Sequence, residues 1–596
     1  MSFLARQRWT FAAALLVAVV YAISLAILPK HVFWMPDEGA KLFQLQACGL
    51  SWKDGVTYRI PFAGQRLLPG SEFLPGFDVF PEPKTMADGS LYLEFDSPAA
   101  FPLLTAPFFH AFGALGLYIL PMASGWLTAT LSGVMASWFA PALAPYAVLL
   151  VGLATPVWFY SVVFWEHTSA TLLGLLAVGL VVRAPRRVES IAAAVPVLVL
   201  ASVFRTEIAA LGAALAVTWG VVAVHARRQR AAETNDPMDT RPRPPAGRWR
   251  LLLLSLGSTV VLGAALNTLS TSRHRGLIFA LPELIGEAFS GIGHTPRGMI
   301  EVFIHSQNLG PHVGGPWRTA AISAVLLGLV APLVRSARVQ AAMIVAALSL
   351  MLACSASLLL TGEPYRALHG LFPVAPFAIL WPFALRHTWR RRDPSLAALG
   401  TATWVYMLFT FAALALTYIH KGLLDVGMQW GQRYLLTAYP MLVILTLVAL
   451  RDLWASSQPG WPRTASVTLV ALLIACAVGL EVRGVRMLYG TRGLMAQWDQ
   501  AMRSEGQPIV TTVWWIVPAV ADLFLTHDMF FTWQPGVAHW VEVARDRGVT
   551  SFTLAHTEPL TLKDLGMPAI QRVGESRMFT GGLLLTRFQI EPVPRQ

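Results

Sequence analysis

The chain has 596 residues, of which 55% are apolar and only 13% charged, with a mean hydropathy of +0.55. A soluble domain carries about 25% charged residues, so this composition excludes one and indicates a polytopic α-helical membrane protein. The formal charge of +12 sits on arginines crowded into short segments between apolar runs, which the positive-inside rule expects and nucleic-acid binding does not need.

The first apolar run, Thr10 to Leu28, has no charge and is long enough to cross a bilayer. Arg6 and Arg8 precede it as in a signal peptide, but it exceeds a usual h-region and no A-x-A site follows. It reads as a retained anchor helix. Further spans are expected at 115–138, 143–163, 167–183, 189–204, 208–225, 250–267, 318–334, 340–360, 371–386, 396–417, 435–451 and 464–482. With 10–28 that makes roughly thirteen transmembrane helices, on a need for about 20 apolar residues per span.

A cytoplasmic N-terminus and strict alternation put the dense arginine clusters inside: RAPRR (183–187), the stretch from HARRQR to Arg250, RSAR (335–338), RHTWRRRD (386–393) and 451–463. The long loops 29–114 and 268–317 and the C-terminal tail then fall outside. The cytoplasmic segment 226–249 is a linker; from Gln229 to Gly247 it is rich in Arg, Pro, Asp and Thr, has no apolar period and is expected to be disordered. Residues 1–482 thus form a transmembrane module. From 483 to 596 the pattern changes to β-like runs, PIVTTVWWIV, SFTLAHT and GLLLTRFQI, with helical VAHWVEVARDRG among them. This is a small extracytoplasmic α/β domain. Cys48, Cys354 and Cys476 are odd in number and irregularly spaced, so they frame neither disulfides nor a zinc site.

The polar residues that can carry chemistry gather at the outer ends of the spans. HVFWMPDEGAKLFQLQ (31–46) follows the first helix. Pro36 favours a helix start, and a helix over 37–46 puts Asp37 and Lys41 on one face. A carboxylate there can take a hydroxyl proton as general base, and a lysine can hold a phosphate. Equally, Asp37 and Glu38 suit the first turn of an interfacial helix, whose dipole favours acids. EFDSPAAFPLLTAPFFHAFG (94–113) reads as an interfacial or re-entrant segment, with Asp96 either near Asp37 or capping a local turn. In VVFWEHTSA (162–170), Glu166 and His167 sit between two spans; ionisable residues at such depth tend to be functional, though a wetted loop tip explains them as well. In FRTEIAA, Arg205 and Glu207 make either an ion pair or a lipid-phosphate contact. GMQWGQRYLLTAYP (427–440) starts a span with Arg433 on the side the positive-inside rule disfavours, beside Trp430, Gln432 and Tyr434. The planar fork of arginine suits phosphate; interfacial snorkelling is the other account. Arg366, Lys421, Arg273 and Arg275 are further outer cations. No P-loop, H-E-x-x-H helix or G-x-S-x-G elbow is present.

These residues resemble the GT-C superfamily of membrane glycosyltransferases, which includes protein O-mannosyltransferases, the catalytic subunit of oligosaccharyltransferase, aminoarabinose transferases and arabinosyltransferases. The resemblance rests on the acidic PDEG motif after the first helix, the long Pro-rich outer loop, the acidic Glu166 in the next outer connection, the Q-R-Y-L-L segment opening a late helix, and the outer α/β tail. It implies inverting transfer of a sugar from a polyprenyl-phosphate donor to an acceptor on the outer side of the membrane. The acceptor is a glycan, lipid or protein. By the resemblance Asp37 is the general base, Glu166 with His167 positions the acceptor or supports Asp37, and Glu38 is a further catalytic residue. Arg433 with Tyr434, then Lys41, Arg205 and Arg366, bind the donor phosphate. Some members hold a divalent metal between two acidic loops. No D-x-D motif stands here, and neither a metal nor another cofactor is expected. Two other classes fit the composition: a transporter or flippase of a polyprenyl-linked glycan, and a non-catalytic envelope-assembly scaffold. The first needs charges inside the spans; the second tolerates loss of Asp37.

Overall fold

The computed structural model describes residues 3–51, 55–58, 62–68, 82–85, 91–95, 98–183, 189–205, 207–233, 315–361, 370–384, 393–421, 430–456, 461–558 and 570–591. The chain divides into two compact units, residues 1–26, 120–269 and 275–487 in one, residues 27–119, 270–274 and 488–596 in the other.

The first unit is helical. Among the described residues of the whole chain five helical stretches are long and apolar enough to cross a membrane: Gln7–Ile27, Ala100–Phe139, Ala337–Leu360, Ala438–Ala455 and Pro462–Arg503, of which Ala100–Phe139 and Pro462–Arg503 belong partly to the second unit. Five shorter apolar helices accompany them, among them His167–Arg183, Ala192–Phe204 and Ile208–Val221. With the composition, they make this an integral membrane protein. Not every expected span is one regular helix. The run 143–163 divides into helices Ala144–Leu153 and Val157–Ser161, because Pro156 lacks an amide hydrogen and disfavours helix at the residue before it. The run 371–386 opens with a short helix, Leu371–Val374, and a 3-10 turn, Pro376–Leu380, around two prolines. The expected span 250–267 lies outside the described residues. Gln229–Glu233, expected to belong to a disordered linker, continues the Ile208–Glu233 helix; its Ala and Gln are good helix formers. The last expected span is part of one 43-residue helix, Trp461–Arg503, which contributes to both units.

The second unit is α/β. Its first-loop part holds helix Pro36–Ala47, two antiparallel hairpins and helix Ala100–Phe112. The hairpins pair β1 (Cys48–Ser51) with β2 (Gly55–Tyr58), and β3 (Glu82–Thr85) with β4 (Leu91–Glu94). Its tail forms a five-stranded mixed sheet of β5 (Ile509–Thr511), β6 (Met529–Phe531), β7 (Ser551–His556), β8 (Ile570–Met578) and β9 (Leu584–Ile590), in the order β6-β5-β7-β9-β8. The first three run parallel, and β9 and β8 close the sheet antiparallel. β5, β7 and β9 are the β-like runs of the sequence; β6 and β8 are additional. The amphipathic helix Val537–Asp546 lays Trp540 and Val541 into the sheet core, where Leu68 of the first loop joins Val510, Phe530 and Phe552.

Candidate active site

The first-loop acids stand where a sequence of this type must start a helix. Pro36 opens the helix Pro36–Ala47, so Asp37 and Glu38 fall in its first turn, where the exposed amide hydrogens and the helix dipole favour negative charge. The helix is buried almost throughout, Glu38, Lys41 and Gln44 included. Two contacts set its position. An added Cβ at Gly39 would lie 2.0 Å from the carbonyl oxygen of Pro518, so the helix rests directly on that backbone. Beside it, the Phe33 amide donates to the Ala519 carbonyl at 2.9 Å.

The two acids have different surroundings. Glu38 is fully buried: Arg492 donates through Nη2 to its Oε1 at 2.8 Å, and the Trp34 amide donates to its Oε2 at 3.1 Å. The Arg492 guanidinium also lies over the ring of Tyr118, 5.0 Å from the centroid. Both oxygens of Glu38 are thus committed to fixed donors. Asp37 is half-buried. It shares a helix face with Lys41, one turn on.

A second cluster lies in the helical unit. Glu166 directly precedes the helix His167–Arg183, which His167 opens, and both are buried. Arg205, between two apolar helices, donates through Nη1 to Glu166 Oε1 at 2.8 Å and through Nε to Glu207 Oε1 at 2.7 Å. Burial opposes its charge, but Glu207 and Glu166 raise its pKa well above the ordinary value, so it is a fixed cation. Its guanidinium carbon lies 5.5 Å from the Tyr434 ring centroid. Arg433 approaches the same ring at 5.0 Å, donates to the Tyr434 hydroxyl at 3.0 Å, and lies 5.1 Å from the ring centroid of Trp165. His167 is sandwiched among rings, 5.3 Å from Tyr160 and 4.9 Å from Trp165. The structure therefore brings Glu166, His167, Arg205, Arg433 and Tyr434 together in one unit. Asp37, Glu38 and Lys41 share a single helix of the other.

Arg366, Asp96, Arg273 and Arg275 lie outside the described residues. So does the side chain of Lys421. The Arg205–Glu207 ion pair weighed from the sequence is present. The sequence carries one signal for Arg492: a charge in MLYGTRGLM, just beyond an apolar run, is the kind that reveals such a partner. Among the described residues no group of three or more His, Cys, Asp or Glu side chains can hold a metal ion.

No protein-family model and no curated protein sequence matches the chain. Solved structures are similar to it in the course of the chain. One is ArnT from Cupriavidus metallidurans bound to undecaprenyl phosphate, with 12% identity, 97% of this chain and 98% of that chain covered, and a TM-score of 0.46. The apo state of ArnT from the same organism matches with 10% identity, coverage of 96% and 97%, and a TM-score of 0.38. The oligosaccharyltransferase of Archaeoglobus fulgidus, tethered with an acceptor peptide, matches with 11% identity, coverage of 91% and 69%, and a TM-score of 0.40.

Proposed function

We propose that the chain is a membrane glycosyltransferase that moves a sugar, with inversion, from a polyprenyl-phosphate donor to an acceptor hydroxyl on the outer side of the membrane. The observation that carries this reading is the pair of arginines on Tyr434. Arg205 and Arg433 flank one ring where an apolar helix, Ala438–Ser456, is about to begin. The donor fork of the Arg433 guanidinium suits phosphate oxygens, Arg205 beside it adds field, and an adjoining apolar helix suits a lipid tail.

The two cations divide the task. Arg205 is committed to Glu166 and Glu207, so it orients the cluster and contributes field. Arg433, which donates to the Tyr434 hydroxyl, is the primary phosphate ligand. In the reaction the acceptor oxygen attacks the anomeric carbon, the bond from that carbon to the phosphate oxygen breaks, and Asp37 takes the hydroxyl proton. Negative charge grows on the departing polyprenyl phosphate, where a fixed cation stabilises it. Glu38, tied to Arg492, holds the first turn that carries Asp37. Glu166 and His167 shape the donor cluster, and Lys41 is a secondary cation beside Asp37. The acceptor is a hydroxyl of a glycan, lipid or protein.

One observation favours a transporter: Glu481 is fully buried in the long helix Trp461–Arg503. It is hydrogen-bonded to Trp430, which gives it an anchoring part instead of a place on a polar path.

Transfer from a synthetic polyprenyl-phosphate sugar by purified variants tests the proposal. Asp37→Asn is expected to fold normally and lose roughly 10²-fold or more in kcat. Arg433→Ala is expected to raise the donor KM more than the acceptor KM. Undiminished transfer by Asp37→Asn removes the general-base role of Asp37, whereas no transfer by the wild type leaves a transporter or a scaffold as the better reading.

A further inference from the structure

Three residues before Arg433 the chain is locked by a tryptophan, and the lock is built from a helix far away in sequence. Trp430 is fully buried. Its indole Nε1 donates to Glu481 Oε1 at 3.1 Å. One turn along the same helix, an added Cβ at Gly484 would lie 2.7 Å from Trp430 Cε2, so the missing side chain is the space the indole fills. Phe159 stacks on the indole at 5.6 Å with planes 17° apart, and the Trp430 amide donates to the Tyr160 hydroxyl at 3.1 Å.

The chain then turns sharply. Gly431 has φ +62°, a conformation that costs little only without a Cβ. The Gln432 amide donates to the Tyr439 hydroxyl at 3.0 Å, and a 3-10 turn, Arg433–Leu435, follows. Two backbone amides and one indole are thus pinned immediately before the phosphate-binding arginine.

We infer that Glu481, with the gap at Gly484, is a positioning residue that sets the placement of Arg433 by seating Trp430; this rests on the reading of Arg433 as donor-phosphate ligand. A carboxylate buried inside a span is expensive, and packing alone does not require one here. An oxygen that accepts the indole hydrogen is what the seat needs. The other oxygen, Oε2, has no hydrogen-bond partner among the described residues, so an amide nitrogen in its place breaks no bond.

The test is binding of decaprenyl phosphate to the full-length protein in detergent, with folding followed by thermal unfolding. Glu481→Gln is expected to bind as the wild type does. Glu481→Leu removes the acceptor and Gly484→Ala pushes the indole off its seat. Each is expected to weaken binding roughly tenfold. Neither is expected to weaken it further in an Arg433→Ala background, a coupling that general loosening of the bundle does not produce. If Arg433→Ala weakens binding while Glu481→Leu and Gly484→Ala bind like the wild type, the inference is overturned and the phosphate site stands. Should Glu481→Gln fail as badly as Glu481→Leu, the acceptor role is overturned. If Arg433→Ala itself binds normally, the reading of Arg433 falls, and the inference with it. Gly484→Ala leaves every polar atom in place, so it decides the matter even if Glu481→Leu does not fold.

Discussion

Asp37 and Glu38 are adjacent in sequence, yet burial gives them different chemistry. Glu38 has a buried guanidinium on one oxygen and a backbone amide on the other. Asp37, at the edge of the same turn, is half-buried and is the member of the pair suited to meet a substrate. Breaking a buried ion pair by removing one partner costs about 3–5 kcal/mol, because the other charge is left in a poor solvent. Arg492→Leu is therefore expected to lower stability by about that amount, measured as a large fall in Tm of the detergent-solubilised protein. Adding Glu38→Gln removes the stranded charge and keeps an acceptor for the Trp34 amide. The double variant is expected to recover at least half of the loss. An Arg492→Leu protein as stable as the wild type shows that the pair holds nothing.

At the scale of elements, close approach decides the placement of the helix Pro36–Ala47. Gly39 lets it sit on the backbone at Pro518, with 2.0 Å between that carbonyl oxygen and the place a Cβ would occupy. Backbone cannot move aside as a flexible side chain can. Gly39→Ala is expected to push the helix away at a cost of about 1–3 kcal/mol, the range for overpacking, and to reduce transfer because Asp37 moves with the helix. Tm and kcat measured on one preparation check both. The long helix Trp461–Arg503 shows the limit of span counting. Its 43 residues extend about 65 Å at 1.5 Å per residue, against about 30 Å of hydrocarbon. Apolarity ends near residue 482, but helix does not, because no proline interrupts 483–503 and the packing of Trp498 and Arg492 offsets the three glycines there. The reverse holds in 143–163 and 371–386. There apolarity continues, while prolines interrupt the helix.

On the scale of the whole molecule, the second unit is assembled from chain segments hundreds of residues apart, 27–119 and 488–596. Leu68 of the first loop lies in the same core as Trp540 and Phe552 of the tail, and the Phe33 amide is satisfied by Ala519. Ending the chain after Met487 removes those partners. Limited proteolysis of that truncated protein is expected to cleave within residues 29–114 far faster than in the full chain. Equal protection of the loop in both proteins shows that it holds its structure without the tail. The reading of the tail as strands β5, β7 and β9 around an amphipathic helix survives because β-rich apolar runs and the period-3.6 pattern are local. Strand β6 is three residues long, as β5 is, but its Met-Phe-Phe lacks the run of β-branched residues that marks PIVTTV around β5. Most of β8 is exposed, so no apolar alternation marks it.

The sequence by itself determined what depends on composition and short-range pattern. The chain is an integral membrane protein with an α/β tail. A helix begins at Pro36 with Asp37 and Glu38 in its first turn, and Arg205 and Glu207 are close enough in sequence to pair. Each of these follows from the solvent a segment prefers, or from geometry within one helical turn or loop. Tertiary structure alone decided which acid is buried, what covers it, and which arginine is already neutralised. Arg492 reaches Glu38 across 454 positions, Trp430 reaches Glu481 across 51, and Arg205 reaches Glu166 across 39. No periodicity links such partners. What joins them is the cost of leaving a buried polar group unpaired, and that cost exists only once the chain has folded and excluded the solvent around it.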